Sequence, residues 1–349
     1  MARVVVAGAG AIGASIAYHL ALRGADDVVL ADVGEIAGGA TGKAMGGVRQ
    51  QFATRAEVEL ARRSVRLFAE LGPPLFLQVG YVFLATTASG AQELEERREL
   101  LQSFGVAAER AEAPRGVYGD DVVGAIACWD DGVADPAGVT RELVRRAVGL
   151  GVEVREHVDA LALSGETLVL ATGAASSNVG EALGVELPVR PLVRQLADVG
   201  PVDRIDPLLP MTIEYETGFH FRLVGGDGLR LAMTEPTARW NGPAEVDDEL
   251  TQDWLARLSH RVPSARTARV RRSWAGFYDM TPDAHPIIGP VGDGLYAACG
   301  FSGHGFMQAP AVGDAVAAEL LGDEPPFDLS PYRLDRFAAG AVFPETLVL

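Results

Sequence analysis

Three stretches of this chain combine residue types and spacings that do chemistry. The first is Gly8-Ala9-Gly10-Ala11-Ile12-Gly13, a G-x-G-x-x-G spacing. Gly8 allows a tight turn, Gly10 lets the backbone approach a pyrophosphate, and Gly13 lets the next helix pack close. The N–H groups opening that helix, at Ala11 and Ile12, face the anion with the positive dipole end behind them. Asp32 ends the following apolar run, where a carboxylate takes a ribose hydroxyl pair. The second stretch, Gly38-Gly39-Ala40-Thr41-Gly42-Lys43-Ala44-Met45-Gly46-Gly47, carries very little side chain. Either its backbone lies against a flat or extended ligand, or it is a mobile linker. The third is Gly300-Phe301-Ser302-Gly303-His304-Gly305-Phe306-Met307, glycines before a helix, which aim backbone donors at something electron-rich.

The elements that must position these stretches are legible from their periods. Val4 to Ala7 and Val28 to Ala31 are β-branched runs of buried parallel strands, with a small-residue helix from Ala14 to Arg23 between them. Together with the glycines and Asp32 they complete a βαβ dinucleotide unit. Leu168 to Ala174, which carries Thr172 and Gly173, reads as another buried strand. Helices are expected over Ala56–Leu71, Ala91–Gly105, Pro136–Leu150 and Asp247–Val262. From Val189 to Met233 the pattern alternates, with Gly225-Gly226-Asp227-Gly228 as a hairpin turn, so a mainly antiparallel sheet forms a second layer. Ala268 to Tyr278 and Leu295 to Ala298 are further strands, and Pro310 is expected to open the last long helix. The expected fold is therefore α/β: a Rossmann-type domain from residues 1–47, 136–190 and 280–345, interrupted by a substrate domain from 48–135 and 191–279.

Composition narrows the function. A formal charge of −17 on 349 residues repels nucleic-acid phosphates. No run of eighteen uncharged apolar residues exists, so no membrane span is expected, and the chain enters its first strand at once, leaving no room for a signal peptide. Cys128 and Cys299 form no disulfide framework and read as small core residues, and the six histidines show no metal spacing. A cytoplasmic compartment fits. Lys43 is the only lysine, so any task requiring one falls to it.

Taken together, the N-terminal fingerprint, Gly46-Gly47-Val48-Arg49-Gln50-Gln51-Phe52, Ala171-Thr172-Gly173-Ala174, Tyr278 to Asp283 and Gly300 to Met307 resemble the D-amino-acid-oxidase-like flavoproteins. The branch is that of sarcosine oxidases, L-proline dehydrogenase β subunits and dimethylglycine oxidoreductases, and the likeness covers nearly the whole chain. The resemblance implies FAD rather than NAD, because a nicotinamide enzyme needs no glycine-rich closing motif beside its last strand. It implies oxidation of a C–N bond of a small amino acid or secondary amine, by hydride transfer to flavin N5, leaving an imine. A non-catalytic flavin-binding subunit and an NAD-dependent dehydrogenase remain the alternatives.

The resemblance also assigns residues. Arg49 matches the family's carboxylate-binding arginine, whose planar fork suits bidentate capture. Gly276 stands where the monomeric sarcosine oxidases attach flavin through a cysteine, so FAD is expected without a covalent link. Met307 stands where those enzymes have a carboxylate-gripping lysine, and the segment from Val154 to Leu168 is shorter than in relatives. Tyr278 either lines the site or packs in the core, and the same choice holds for His220. His304 is expected to act through backbone N–H groups. Between Met211 and Met233 the positive charges are Arg222 and Arg230, with no lysine. The expectation is thus a dehydrogenase that passes electrons to an acceptor or partner subunit, with Lys43 as the residue able to make it an oxidase.

Overall fold

A computed structural model describes residues 3–342; the expected domain limits at 1 and 345 lie outside them. Two large sheets form the frame. The six-stranded sheet runs Ile287–Gly292, Leu295–Cys299, Thr167–Leu170, Val4–Ala7, Val28–Ala31, Glu153–Arg155. Its strands are parallel except the edge hairpin of Ile287–Gly292 on Leu295–Cys299. Val4, Val5, Val6 and Ala7 are all buried, as a strand covered on both faces requires.

The second sheet has eight strands in the order Arg269–Met280, Arg190–Gly200, Gly228–Ala232, His220–Val224, Met211–Glu214, Tyr81–Ala85, Gly124–Cys128, Ala108–Arg110. Every pairing is antiparallel but one, Met211–Glu214 on Tyr81–Ala85. A small third sheet, Gly47–Val48, Gly132–Ala134 and Phe76–Leu77, ties the glycine-rich loop to the frame. The helices are α1 Ala11–Leu22, α2 Arg55–Leu71, α3 Ala88–Ser103, α4 Pro136–Gly149, α5 Ser176–Ala182, α6 Asp248–Arg261 and α7 Gly305–Leu320.

α1 and α7 touch backbone to backbone. A Cβ on Gly313 would lie 2.2 Å from Ser15 Oγ, and one on Gly13 would lie 1.8 Å from Gly8 O. Small residues on both helices therefore set the spacing that holds the two glycine motifs side by side. α2 falls in the segment expected in the substrate layer, yet Val58, Ala61, Val65 and Phe68 join the core of the parallel sheet. Its amphipathic period was readable; the partner for that face, α7, was not.

Two expected boundaries move, and one strand was not expected. α7 starts at Gly305, and Pro310 sits inside it, where its missing N–H costs one ladder bond. The strand expected over Leu168–Ala174 ends at Leu170, because Gly173 takes φ +52° and starts the turn into α5. Strand Gly124–Cys128 escaped detection because Gly-Ala-Ile-Ala-Cys carries almost no β-branched signal.

Candidate active site

One cavity of about 580 Å³ runs from the first glycine motif, between the two sheets, to the third. At its outer end lie Val33, Asp159, Ala160 and Leu161, so the short Val154–Leu168 segment still contributes wall. Of the expected cofactor residues, Gly13, Gly42, Gly300 and Ser302 do not line it. They shape it from behind: a Cβ on Gly42 would meet Ala37 O at 2.5 Å, and one on Gly300 would meet Thr281 Cγ2 at 2.4 Å. Ser302 accepts from Thr281 N at 3.1 Å and points away.

At the first motif, Ala11 departs from expectation. Its N–H donates to Thr41 Oγ1 at 3.0 Å, so the undonated N–H groups of that turn are those of Gly10, Ile12 and Gly13. Asp32 accepts from Ala9 N at 2.6 Å and from Gly34 N at 2.7 Å, so both carboxylate oxygens already brace the turn. A ribose hydroxyl would share an oxygen with one of them. Thr172, Gly173 and Gly8 lie on the wall, and a Cβ on Gly8 would strike Ala171 O at 2.3 Å.

The loop from Thr41 to Gly47 is pinned from the eight-stranded sheet through three consecutive carbonyls. Trp274 Nε1 donates to Lys43 O at 3.0 Å, Arg230 Nη1 to Ala44 O at 3.4 Å, and Arg222 Nε to Met45 O at 2.6 Å. The N–H groups of Met45 and Gly46 have no partner among the described residues. The glycines answer to protein contacts rather than to a ligand. A Cβ on Gly46 would meet Ala134 O at 2.4 Å, and one on Gly47 would meet the Tyr81 hydroxyl at 1.9 Å. The loop is a fixed strap, not a mobile linker. Burial pulls the Arg222 guanidinium down to about 10.

At the third motif the donors are fewer than the glycines suggest. Asp279 accepts from Gly300 N at 2.8 Å and Phe301 N at 3.0 Å, and the backbone N–H of Ser302 donates to Asp279 O at 3.1 Å. His304 N donates to Phe301 O at 2.9 Å. That leaves Gly303, Gly305, Phe306 and Met307, whose N–H groups donate to no described residue and which line the cavity at the start of α7. These are the donors a flavin edge can meet. Asp279 is half-buried, and desolvation pushes its carboxyl up to about 6. Nothing but its place between Tyr278 and Thr281 signalled this role.

Arg49 is 1% exposed and lines the cavity. It donates to Gln51 O and, at 3.3 Å, to His304 Nε2, and its guanidinium lies 4.2 Å over the Phe52 ring. Because arginine only donates, His304 presents a lone pair at Nε2 and carries its proton on Nδ1. The imidazole thus orients Arg49, whereas the backbone N–H expected to serve is taken by Phe301 O. Beneath the same loop, Asp131 accepts from Gln50 N at 2.9 Å, Gln50 Nε2 at 3.1 Å and Gln51 Nε2 at 3.0 Å. Its burial raises the carboxyl to about 6.

His220 also lines the cavity. Its Nδ1 donates to Gly218 O at 2.7 Å, while Nε2 has no described partner. Burial pulls the ring down to about 4, and the Arg49 charge adds to this, so it is neutral at pH 7. Tyr278 stacks on Gly303, where a Cβ would lie 2.4 Å from the ring. Burial raises its phenol, with the charges of Arg194 and Arg49 pulling against it. Lys43 is exposed at the cavity rim, its stem over Gly276, where a Cβ would sit 3.1 Å from Lys43 Cδ. Cys128 and Cys299 are buried, and burial lifts the Cys299 thiol to about 12, so both are inert core residues as expected. No group of metal-ligating side chains occurs among the described residues, and no described helix is long and apolar enough to cross a membrane.

A family model described as DAO, FAD dependent oxidoreductase, matches residues 3–319. The chain belongs to this family. It is 27% identical over 378 residues to the formaldehyde-forming 4-methylaminobutanoate oxidase of Paenarthrobacter nicotinovorans, covering 96% of this chain but only 46% of that protein. It is 26% identical to sarcosine oxidase subunit beta of an Arthrobacter species, covering 98% of this chain and 92% of that one. The L-proline dehydrogenase structure from P. horikoshii superposes with a TM-score of 0.89 at 26% identity, covering 98% and 99% of the two chains. The family is FAD-dependent, and the cavity fits that cofactor. Two helix starts with undonated N–H groups, α1 for a pyrophosphate and α7 for a flavin edge, open onto one groove.

Proposed function

We propose that this flavoprotein oxidises the C–N bond of a small amino acid or secondary amine. What carries the reading is one wall that joins a buried, oriented guanidinium, Arg49, to a neutral imidazole acceptor, His220. FAD, held by the α1 and α7 starts and the 41–47 strap, supplies a two-electron acceptor for the hydride leaving the substrate carbon. Arg49 binds the substrate carboxylate, and His304 keeps its fork in plane.

His220 has two possible tasks, and magnitudes choose between them. A ring with a pKa of about 4 facing an alkylammonium near 10 is mismatched by about six units, or about 8 kcal/mol, for proton transfer. It is a poor base for the ammonium. It is instead a hydrogen-bond acceptor that orients the amine N–H once the proton has gone to solvent. The N–H groups of Gly303, Gly305, Phe306 and Met307, undonated among the described residues, would hold the edge of bound FAD and favour negative charge there. The product is an imine, which water hydrolyses.

Electrons then pass to an acceptor other than oxygen. The support is electrostatic: Arg230 is bound bidentately by Asp198 at 2.8 and 3.1 Å, and Arg222 by backbone carbonyls, so neither offers an uncommitted charge, and Lys43 and Arg194 are the cations left through which oxygen could react. A panel of amines and amino acids, mixed anaerobically with the yellow protein and followed by flavin bleaching, tests the function. A panel that includes sarcosine, proline and glycine and produces no bleaching refutes it.

A further inference from the structure

Arg194 and Gly276 face each other across the pair formed by strands Arg190–Gly200 and Arg269–Met280. Both line the cavity, as do Leu196 and Tyr278 two residues along each strand. Gly276 offers no side chain, and the Lys43 stem lies over it. The two cations therefore share one patch of wall. Arg194 Nε and Nη1 are buried and make no hydrogen bond, and neither Arg194 nor Lys43 forms an ion pair among the described residues. The one described contact of the Arg194 guanidinium is the Tyr278 ring, 5.6 Å away.

Several other arginines are matched by carboxylates. Arg230 and Arg272 share Asp198, Arg261 takes Glu214 and Asp121, and Arg336 takes Asp283. A buried donor without a partner is costly, and the cost is relieved when a ligand supplies the acceptor. The Tyr278 phenol feels the charges of both Arg194 and Arg49. Two guanidiniums thus lie near one tyrosine, while a simple amino acid carries a single carboxylate. Arginine's fork over a lysine point charge is a carboxylate-binding pair.

We propose that Arg194, assisted by Lys43, binds a second acidic group, so that the preferred substrate is a diacid amine. Such a substrate is a secondary amine with a carboxylate on each arm, or an N-alkyl amino acid with an acidic side chain. This rests on the reading of Arg49 and C–N oxidation given above and narrows its substrate class.

The test uses the FAD-loaded protein and two thioethers that cannot be oxidised at a C–N bond, methylthioacetate with one carboxylate and thiodiacetate with two. Their dissociation constants come from perturbation of the flavin absorption band. The protein should bind the diacid at least tenfold more tightly than the monoacid, and Arg194→Met should bring that ratio to about one. Lys43→Met, at an exposed position, should reduce the ratio several-fold and carries the test if Arg194→Met does not accumulate. Equal binding of the two ligands, or an unchanged ratio in Arg194→Met, overturns the second subsite alone. So does an Arg194→Met protein that alters FAD content or spectrum while keeping the ratio, since the guanidinium would then serve the cofactor. If neither thioether perturbs the flavin, the amine-oxidising reading falls first.

Discussion

Two carboxyls, Asp131 and Asp279, are expected to favour the folded state on acidification from pH 7 to about 4.5, against the usual behaviour of carboxylates. They lie beneath the Arg49 loop and the 300–303 loop, and desolvation raises each from 3.8 to about 6 although N–H donors pull the other way. Unfolded, each returns to about 3.9. Between those values the native state binds more protons than the unfolded one, so stability falls as pH rises through the window. About two units at 1.36 kcal/mol per unit is about 3 kcal/mol for each acid, or about 6 kcal/mol for the pair as a ceiling. The penalty is fully present above pH 6 and absent below pH 4.

His220, pulled down to about 4, acts with opposite sign in the same window and offsets about 3 kcal/mol of that ceiling. His19, lowered by burial, adds to that offset. The ion-paired acids also oppose, but at lower pH. Burial pushes Asp283 up, yet the Arg336 hydrogen bonds and charge outweigh it and hold the group below its ordinary value. Asp198 behaves alike, between Arg230 and Arg272. Their stabilisation is lost only as pH falls through about 4 and below. Urea unfolding midpoints at pH 5 and 7.5, with saturating FAD, measure the difference. Asp131→Asn should lower the stability at pH 5 relative to pH 7.5 by about 1.4 kcal/mol compared with the parent protein, the Asp131 share between those values. A pH dependence untouched by Asp131→Asn refutes the reasoning.

Four shorter predictions concern the site. FAD should appear in the supernatant after acid precipitation, because Gly276 has no atom to form a link; yellow colour retained in the pellet would contradict this. Arg49→Met should lower kcat/KM on an amino-acid substrate roughly ten- to a hundredfold, the loss of a charge-assisted bond of about 1.5–3 kcal/mol, with FAD content preserved; unchanged kinetics would remove Arg49 from its role. Gly303→Ala should weaken FAD binding at least tenfold, since φ is +92° and the new Cβ would lie 2.4 Å from the Tyr278 ring; normal FAD affinity by titration would show the contact yields. Reduced flavin mixed with aerated buffer should return to yellow over minutes, and reoxidation within a second, lost in Lys43→Met, would make the protein an oxidase through Lys43.

What could be read from the sequence was set by local interactions. The Gly8–Gly13 turn, the Gly225–Gly228 hairpin and the helix after Asp247 each depend on neighbours in the chain, and each is where expected. Glycine richness was also visible, but its cause was not, since it turns on what lies across space. Gly46 and Gly47 are required by Ala134 and Tyr81, which sit far away in sequence. Asp131 and Asp279 escaped notice for the same reason: an acid that caps a distant loop has no local signature. Arg194 was passed over among 29 arginines because only the cross-strand register, with Gly276 opposite, shows where it lies.

That register bears on how a chain of net charge −17 admits an anion at all. The acids nearest the flavin-ring end of the cavity are turned to other uses: Asp279 holds N–H groups, Asp131 holds glutamine amides, and Asp198 holds two arginines. Arg222 and Arg230 donate to the carbonyls of Met45 and Ala44, which fixes the strap. What then faces the substrate space is Arg49, Arg194 and Lys43, a positive wall inside a negative protein. Long-range repulsion is screened within about 8–10 Å at physiological salt, so an acidic amine feels the wall only once inside the mouth. On the proposed reading, selection among amines is made at the wall, by how many carboxylates a substrate can place on it.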